Sequence, residues 1–303
     1  MPNDKLKSYL HLHLIVFIWG FTAVLGALIS LDAVPLVWYR MLLASILIFG
    51  FLKLKKKKFR VPPRTLLVLL VAGLVIAMHW LTFFSAIKVS NVSITLAVLS
   101  TGAFFTSILE PIFYKRKIIF YEVFFGIFVI IGLYIIFQVE TRFFFGMVLA
   151  LISALLSSIF SLINGKMVKK EDASVISFYE LGTGTLAITV YLLFMTFWSD
   201  GASGFYPGFF HLSFNDFWLL FVLGSICTAY AVIVSVEVMK HLSPYTVMLT
   251  INLEPIYGIV LAFFIFGSKE EMSPDFYYGA LIILITVVLN GLLKNRKKIK
   301  QRV

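Results

Sequence analysis

The chain has 303 residues, of which 60% belong to the apolar set AVILMFWYC and only 14% are charged, and its mean hydropathy is +0.98. Soluble domains carry about 45–50% apolar residues even with glycine counted, and roughly 25% charged ones, so a water-soluble enzyme, a nucleic-acid module and a disordered chain are excluded. Lys and Arg exceed Asp and Glu by 26 to 15, a net charge of +11, and the single cysteine, Cys227, excludes an intrachain disulfide.

In chain order, ten apolar runs approach the ~20 residues that cross a bilayer as a helix. They occupy 10–30, 35–52, 65–86, 91–113, 119–138, 143–165, 174–197, 215–238, 244–267 and 275–293. These runs are too long for barrel strands, and the short alternating pattern of a membrane barrel is missing. The expected fold is an all-α membrane protein with ten transmembrane helices. The first run follows Lys5 and Lys7 but reads as a retained helix: Trp19, Gly20 and Thr22 sit mid-run with no cleavage site after them. The longest connection, Trp198 to Phe214, is too short to be a domain.

With a cytoplasmic N-terminus, 22 basic residues fall on the cytoplasmic side, including seven between Lys53 and Arg64 and six between Lys294 and Arg302. Only Lys88, Arg142 and Lys269 fall outside, and Arg40 lies within a span. The asymmetry places both termini in the cytoplasm and explains the net charge without a nucleic-acid partner. The lipid bilayer is the expected partner, and the short loops suit a cell inner membrane.

A shift of 153 positions brings Ile87-Lys-Val-Ser90 onto Lys240-His-Leu-Ser243, and Phe120-Tyr-Glu-Val-Phe-Phe-Gly126 onto Ser273-Pro-Asp-Phe-Tyr-Tyr-Gly279. Nearer the N-terminus a shift of 140 sets Trp38-Tyr39-Arg40 over Phe178-Tyr179-Glu180, and the difference falls around Gly201–Pro207. The expected organisation is two five-helix repeats, 1–139 and 140–303. Five is odd, so the second repeat enters the membrane from the opposite side. The seven basic residues of the 2–3 loop, against none in the 7–8 loop, agree with that inversion. Inverted repeats of this kind are typical of secondary transporters, with the substrate site near mid-membrane between the halves.

Several motifs carry a more specific likeness: Trp19-Gly20 in the first span, Tyr39-Arg40-Met41-Leu42-Leu43-Ala44 in the second, and Leu253-Glu254-Pro255 leading through Gly267 to Phe276-Tyr-Tyr-Gly279. With ten spans in two halves, the chain resembles the EamA-type branch of the drug/metabolite transporter superfamily over roughly 10–293. It departs from that pattern in the fourth span, where Thr101-Gly102 stand in place of a mid-helix proline. The resemblance implies a metabolite transporter, with an amino acid or related compound as the substrate class and peripheral fifth and tenth helices.

Ionisable groups inside the bilayer are costly and mark functional candidates. Glu254 follows Pro244 by ten residues, roughly 15 Å of helix, which is near the midplane. Pro255 favours a kink beside it. Its helical neighbours Thr250 and Tyr257 make a polar and aromatic face. A coupling or ammonium-binding role competes with that of a neutral packing residue. Arg40 either snorkels outward or binds a carboxylate at the outer mouth. Glu180 sits on a polar stripe as a gate contact or as packing glue. His79-Trp80 offers a proton carrier or substrate donor, or a satisfied core histidine. Glu110 and Glu237, near Lys115 and Lys240, read as solvated ion-pair members, and Glu171-Asp172, beside lysines, reads as a solvated turn.

The candidate substrate-binding set is Trp19, Tyr39, His79, Trp80, Thr101, Tyr230, Thr250, Glu254 and Tyr257, with Glu254, Arg40 and Glu180 as coupling or gating residues. The scattered histidines form no ligand set, so neither metal nor other cofactor is expected. No GxxxxGK[ST] motif occurs, so ATP does not drive this chain directly. The leading expectation is a secondary transporter, an exporter of a small polar organic metabolite such as an amino acid, working by alternating access as a monomer or homodimer. Coupling to protons or a counter-substrate fits, as does facilitated diffusion. The alternatives are a lipid or nucleotide-sugar carrier of the same fold and a membrane-embedded transferase. A single intramembrane cation, Arg40, counts against a polyanionic nucleotide sugar.

Overall fold

The computed structural model describes residues 2–115, 120–198, 204–206 and 209–300. Arg116 and Lys117, most of the Gly201–Pro207 insertion and the terminal Arg302 lie outside those residues. Among them the chain is helical throughout, with no strand.

The helices are α1 (Pro2–Leu28), α2 (Ala33–Leu54), α3 (Pro63–Val89), α4 (Val92–Leu99), α5 (Gly102–Tyr114), α6 (Phe120–Val139), α7 (Phe144–Met167), α8 (Ala173–Trp198), α9 (Phe214–Gly224), α10 (Ala231–Val238), α11 (Pro244–Ile251), α12 (Glu254–Phe266) and α13 (Pro274–Lys300). Eight stretches are long and apolar enough to cross a membrane, with α4–α5, α9–α10 and α11–α12 each serving as one span. The apolar parts of α6 and α13, Phe124–Val139 and Pro274–Thr286, are shorter. The helix starts carry ordinary chemistry. Asn91 Oδ1 accepts from the Ile94 amide, and Ser243 Oγ accepts from the Thr246 amide, while Pro63, Pro244 and Pro274 open their helices where a missing N–H does no harm.

Two apolar runs that hydropathy reads as continuous are broken in the middle. Residues 92–99 and 102–114 recur at 244–251 and 254–266, a constant shift of 152. That is one position less than the shift that aligns the loop motifs, and it brings Asn91 and Ser243, both N-caps, into register. Each span is therefore a pair of half-helices. A third span is distorted differently: between α9 and α10, Ser225–Tyr230 winds as a π-helix, which widens the helix by one residue and commonly sits at functional sites.

Small residues set the helix approaches, as expected where lipid offers no hydrophobic gain for association. A Cβ on Gly20 of α1 would fall 2.6 Å from Tyr257 Cβ of α12, and one on Gly258 would fall 3.1 Å from the Gly20 carbonyl. This contact presses the start of α12 against the middle of α1. Gly132 and Gly279 do the same for α6 and α13, where a Cβ on either would meet the other's carbonyl at 2.8 Å. At the end of the bundle where α3 gives way to α4, Glu270 is buried and its two carboxylate oxygens accept from the Val92 and Ser93 amides at 3.0 and 2.8 Å. It fills the orphan donors of α4 from the far half of the chain. Glu140 accepts from the Ser273 amide at 3.0 Å in a similar manner.

Candidate functional site

The central cavity lies among α1, α2, α3, α7, α10 and the two broken spans. Its walls include Trp19 and Thr22 from α1, Arg40 from α2, His79, Trp80 and Phe83 from α3, Ser157, Phe160 and Ser161 from α7, Ser235 from α10, and Glu254 from α12. Both halves of the chain contribute. The free space is about 80 Å³, room for a handful of water-sized molecules.

Glu254 is the first residue of α12, immediately after the break at Asn252-Leu253. It is 6% exposed and faces the cavity, and among the described residues its carboxylate has no hydrogen-bond partner. The start of α12 is the positive end of that helix's dipole, which favours an anion at this position, while the Ile256 and Tyr257 amides donate to the Leu253 carbonyl and not to Glu254. The break and Pro255 thus place one carboxylate and one half-helix terminus in the same spot, because a proline at the second helical position lacks the N–H that a continuous helix would need.

Arg40 does not snorkel. It is 1% exposed and turned into the bundle, where its guanidinium lies over the Trp80 ring at 3.9 Å from the centroid, with Phe84 at 5.3 Å. Nε donates to Thr228 Oγ1 at 2.6 Å, and among the described residues Nη1 has no partner. Thr228 is available because the π-helical turn lets its hydroxyl donate to the Leu223 carbonyl five residues back. The Cys227 carbonyl, in the same π-helical turn, accepts from Trp19 Nε1 at 3.1 Å.

His79 is held on α7: its Nδ1 is 2.8 Å from Ser153 Oγ and 2.9 Å from the Ser153 carbonyl, and Ser153 Oγ donates to the His79 carbonyl. His79 also lines the cavity.

Five sequence candidates therefore meet around one space: Trp19, Arg40, His79, Trp80 and Glu254. The others lie elsewhere. Tyr39 stacks on Phe209 and donates to its carbonyl. The Thr101 hydroxyl is buried against the Val98 carbonyl, and that of Thr250 is turned to the Thr246 carbonyl. Tyr230 is 44% exposed on the outside of the bundle, and Tyr257 is 36% exposed with its ring edge-on to Phe17. Glu180 is fully buried between α7 and α8, accepting from Asn164 Nδ2 at 3.3 Å, and is not part of the cavity wall. Its closeness to α3 depends on Gly73, where a Cβ would meet the Glu180 carbonyl at 2.5 Å.

Of the expected solvated pairs, Glu237 and Lys240 form one at 2.8 Å. Glu110 is buried, not solvated. Asp172 meets Lys57 at 2.7 Å and accepts from Ser174. Partial burial alone would raise its pKa, but the bonds to Lys57 and Ser174 outweigh this and hold it below the ordinary carboxylate value.

Thr228 and Glu270 were not among the sequence candidates, while Ser153 belongs to a polar stripe with Ser157, Ser161 and Asn164 that close helix packing would also explain. A threonine or serine in an apolar run gives no sign of its partner, and no residue pattern announces a π-helix. Glu270 could be read only as a charged turn residue.

The sequence pattern of the EamA-like transporter family matches residues 6–138 and again 144–292. No curated protein matches the chain. A solved structure, titled only as the crystal structure of a protein, superposes with a TM-score of 0.69 at 13% identity, covering 95% of this chain and 98% of that one. At that identity the likeness concerns the fold. The two matched segments take in nearly the whole chain and all the cavity residues, and the protein is a multi-pass membrane protein that belongs to the EamA-like transporter family.

Proposed function

We propose that the protein is a secondary transporter that exports a small polar organic metabolite, of the amino-acid class, by alternating access around the central cavity. The observation that carries this reading is the position of Glu254: an unpaired carboxylate at the N-terminus of a half-helix, facing a cavity whose walls come from both halves of the chain. Discontinuous helices with their termini at a mid-membrane site are the means by which repeat-built transporters bind polar groups in a low-dielectric setting. Trp19, His79 and Trp80 form the wall around the solute, and Glu254 takes a substrate ammonium or a coupling proton. The small free volume suits a compact solute better than a nucleotide sugar.

In this reading the chain has ten transmembrane helices, with α6 and α13 completing the set. The halves lie in opposite orientations with both termini in the cytoplasm of a cell whose inner membrane holds the protein. The 22-to-3 division of basic residues supports that orientation. The two halves part first on one side of the cavity and then on the other.

Flux of labelled amino acids, amines and organic acids in proteoliposomes tests the reading. The expected result is saturable flux of at least one small solute, falling roughly 10-fold or more in Glu254→Gln, the scale of one lost charged interaction. No flux of any small solute would overturn it, and wild-type flux in Glu254→Gln would remove Glu254 from the mechanism.

A further inference from the structure

The cavity holds one cation whose hydrogen-bonding capacity is only partly used. Arg40 has five N–H donors in a planar fork. One, at Nε, is taken by Thr228 Oγ1, and the guanidinium carbon lies over the Trp80 ring at 3.9 Å and the Phe84 ring at 5.3 Å. Nη1 is buried and has no partner among the described residues, and the residue lines the cavity. A buried, unmatched guanidinium donor is costly. Glu254 lines the same cavity and, among the described residues, makes no hydrogen bond to Arg40. The cost is relieved when an acceptor enters. An acceptor that matches the free donors of a planar fork beside aromatic rings is planar, carries two oxygens and has negative charge, and these are the properties of a carboxylate.

We propose that Arg40 is a carboxylate subsite of the central cavity: the transported solute carries a carboxylate that docks edge-on to the free side of the guanidinium, with Trp80 fixing the plane and Thr228 acting as a positioning residue through Nε. This rests on the transport reading given above and narrows it to carboxylate-bearing solutes. The solute's opposite end faces Glu254, which receives an ammonium if the solute is a zwitterion and a proton of its own if the solute is a simple monocarboxylate. The carboxylate is common to both cases.

The test measures equilibrium binding to the purified full-length protein in lipid nanodiscs, by calorimetry and by tryptophan fluorescence, with propionate, alanine, alaninamide and propylamine as probes. Saturable binding of alanine or propionate is expected, and weaker or absent binding of alaninamide and propylamine. Arg40→Gln should weaken carboxylate binding by roughly 10- to 100-fold, the range for a hydrogen bond to a charged group. Arg40→Lys should keep part of it, since the charge survives but the fork does not. Thr228→Val leaves the charge and the Trp80 stack in place and should weaken carboxylate binding by a smaller factor, which serves if Arg40→Gln does not fold. Binding of alanine alone assigns Glu254 to the ammonium, and binding of propionate as well assigns it a proton; either supports the subsite. Equal binding of alanine and alaninamide, or unchanged carboxylate binding in Arg40→Gln, would overturn it. Flux of a solute lacking any carboxylate, intact in Arg40→Gln, would also overturn the subsite while leaving the transporter reading standing. Carboxylate binding without flux of any solute would do the reverse.

Discussion

The two broken spans have nearly the same backbone and different chemistry. α4–α5 and α11–α12 match in the length of both halves and in the two-residue break between them. In register, the residue that begins the second half is Gly102 in one and Glu254 in the other. Gly102 is buried, with Ser158 Oγ donating to its carbonyl at 2.7 Å and the Met248 methyl where a side chain would go. Glu254 points into the cavity with no bond. Each of the two family-matched segments thus carries one such half-helix terminus, and one was sealed by packing while the other kept a charge. The comparison teaches that the breaks are a property of the fold, and that the site is an asymmetric decoration of it.

The largest expected effect comes from erasing the charged member. Glu254→Gln should abolish most flux, as stated, with little loss of stability, because the carboxylate makes no bond that holds the fold together. A melting temperature close to wild type with flux lost would sharpen the contrast; a large drop in melting temperature would mean that Glu254 is structural.

Next is the approach that positions α12. Gly20→Ala puts a methyl 2.6 Å from Tyr257 Cβ, and since both atoms are fixed to helix backbones the helices must separate. Overpacking of this kind costs about 1–3 kcal/mol, and it displaces Glu254 from Trp19, so both denaturant stability and flux should fall. Gly102→Ala meets only the end of the Met248 side chain, which can swing aside. Its flux should stay near wild type. If the two variants behaved alike, the break at Gly102 would have to be counted in the site.

Smaller again is Ser158→Ala, which removes the hydroxyl sealing the Gly102 break. A loss of about 0.5–1.5 kcal/mol is expected, seen in chemical denaturation, with transport kept. Flux loss beyond that of the stability change would show that the sealed break moves during transport.

The smallest effect concerns Asp172, whose pair with Lys57 ties the α2–α3 connection to the start of α8. Its folded-state pKa is depressed, so its contribution to stability is present above the free carboxylate value of 3.8 and is lost as pH falls through the lower folded value. Both side chains are about a third exposed, so the contribution is a few tenths of a kcal/mol after screening. Wild type should melt slightly above Asp172→Asn at neutral pH, and the two should converge in acid. A gap that widened in acid would contradict the sign.

Much of this protein was legible in its sequence because a bilayer imposes simple demands. Apolar runs near twenty residues long read as helices, since no other open structure satisfies the backbone in hydrocarbon. The repeat showed in the matched loops, and Trp19, His79, Trp80, Arg40 and Glu254 stood out because polar and ionisable groups in such runs need a reason. Pro255 announced one break. The other, at Ser100-Thr101, was silent: its serine and threonine hydroxyls satisfy the Ala97 and Val98 carbonyls locally, so hydropathy registers nothing.

What the sequence by itself determined is the membrane class, the helical character of the apolar runs, the repeat matched by the family pattern and the short list of ionisable groups inside those runs. What only the tertiary structure decided is which of those charges share a cavity. Arg40 and Glu180 fall at corresponding positions in the repeat, yet one turns onto Trp80 and Thr228 while the other is sealed against Asn164. That choice depends on a π-helical turn, a glycine contact and the rotation of helices about their axes, and none of these is encoded locally: each is settled by contacts between residues far apart in the chain.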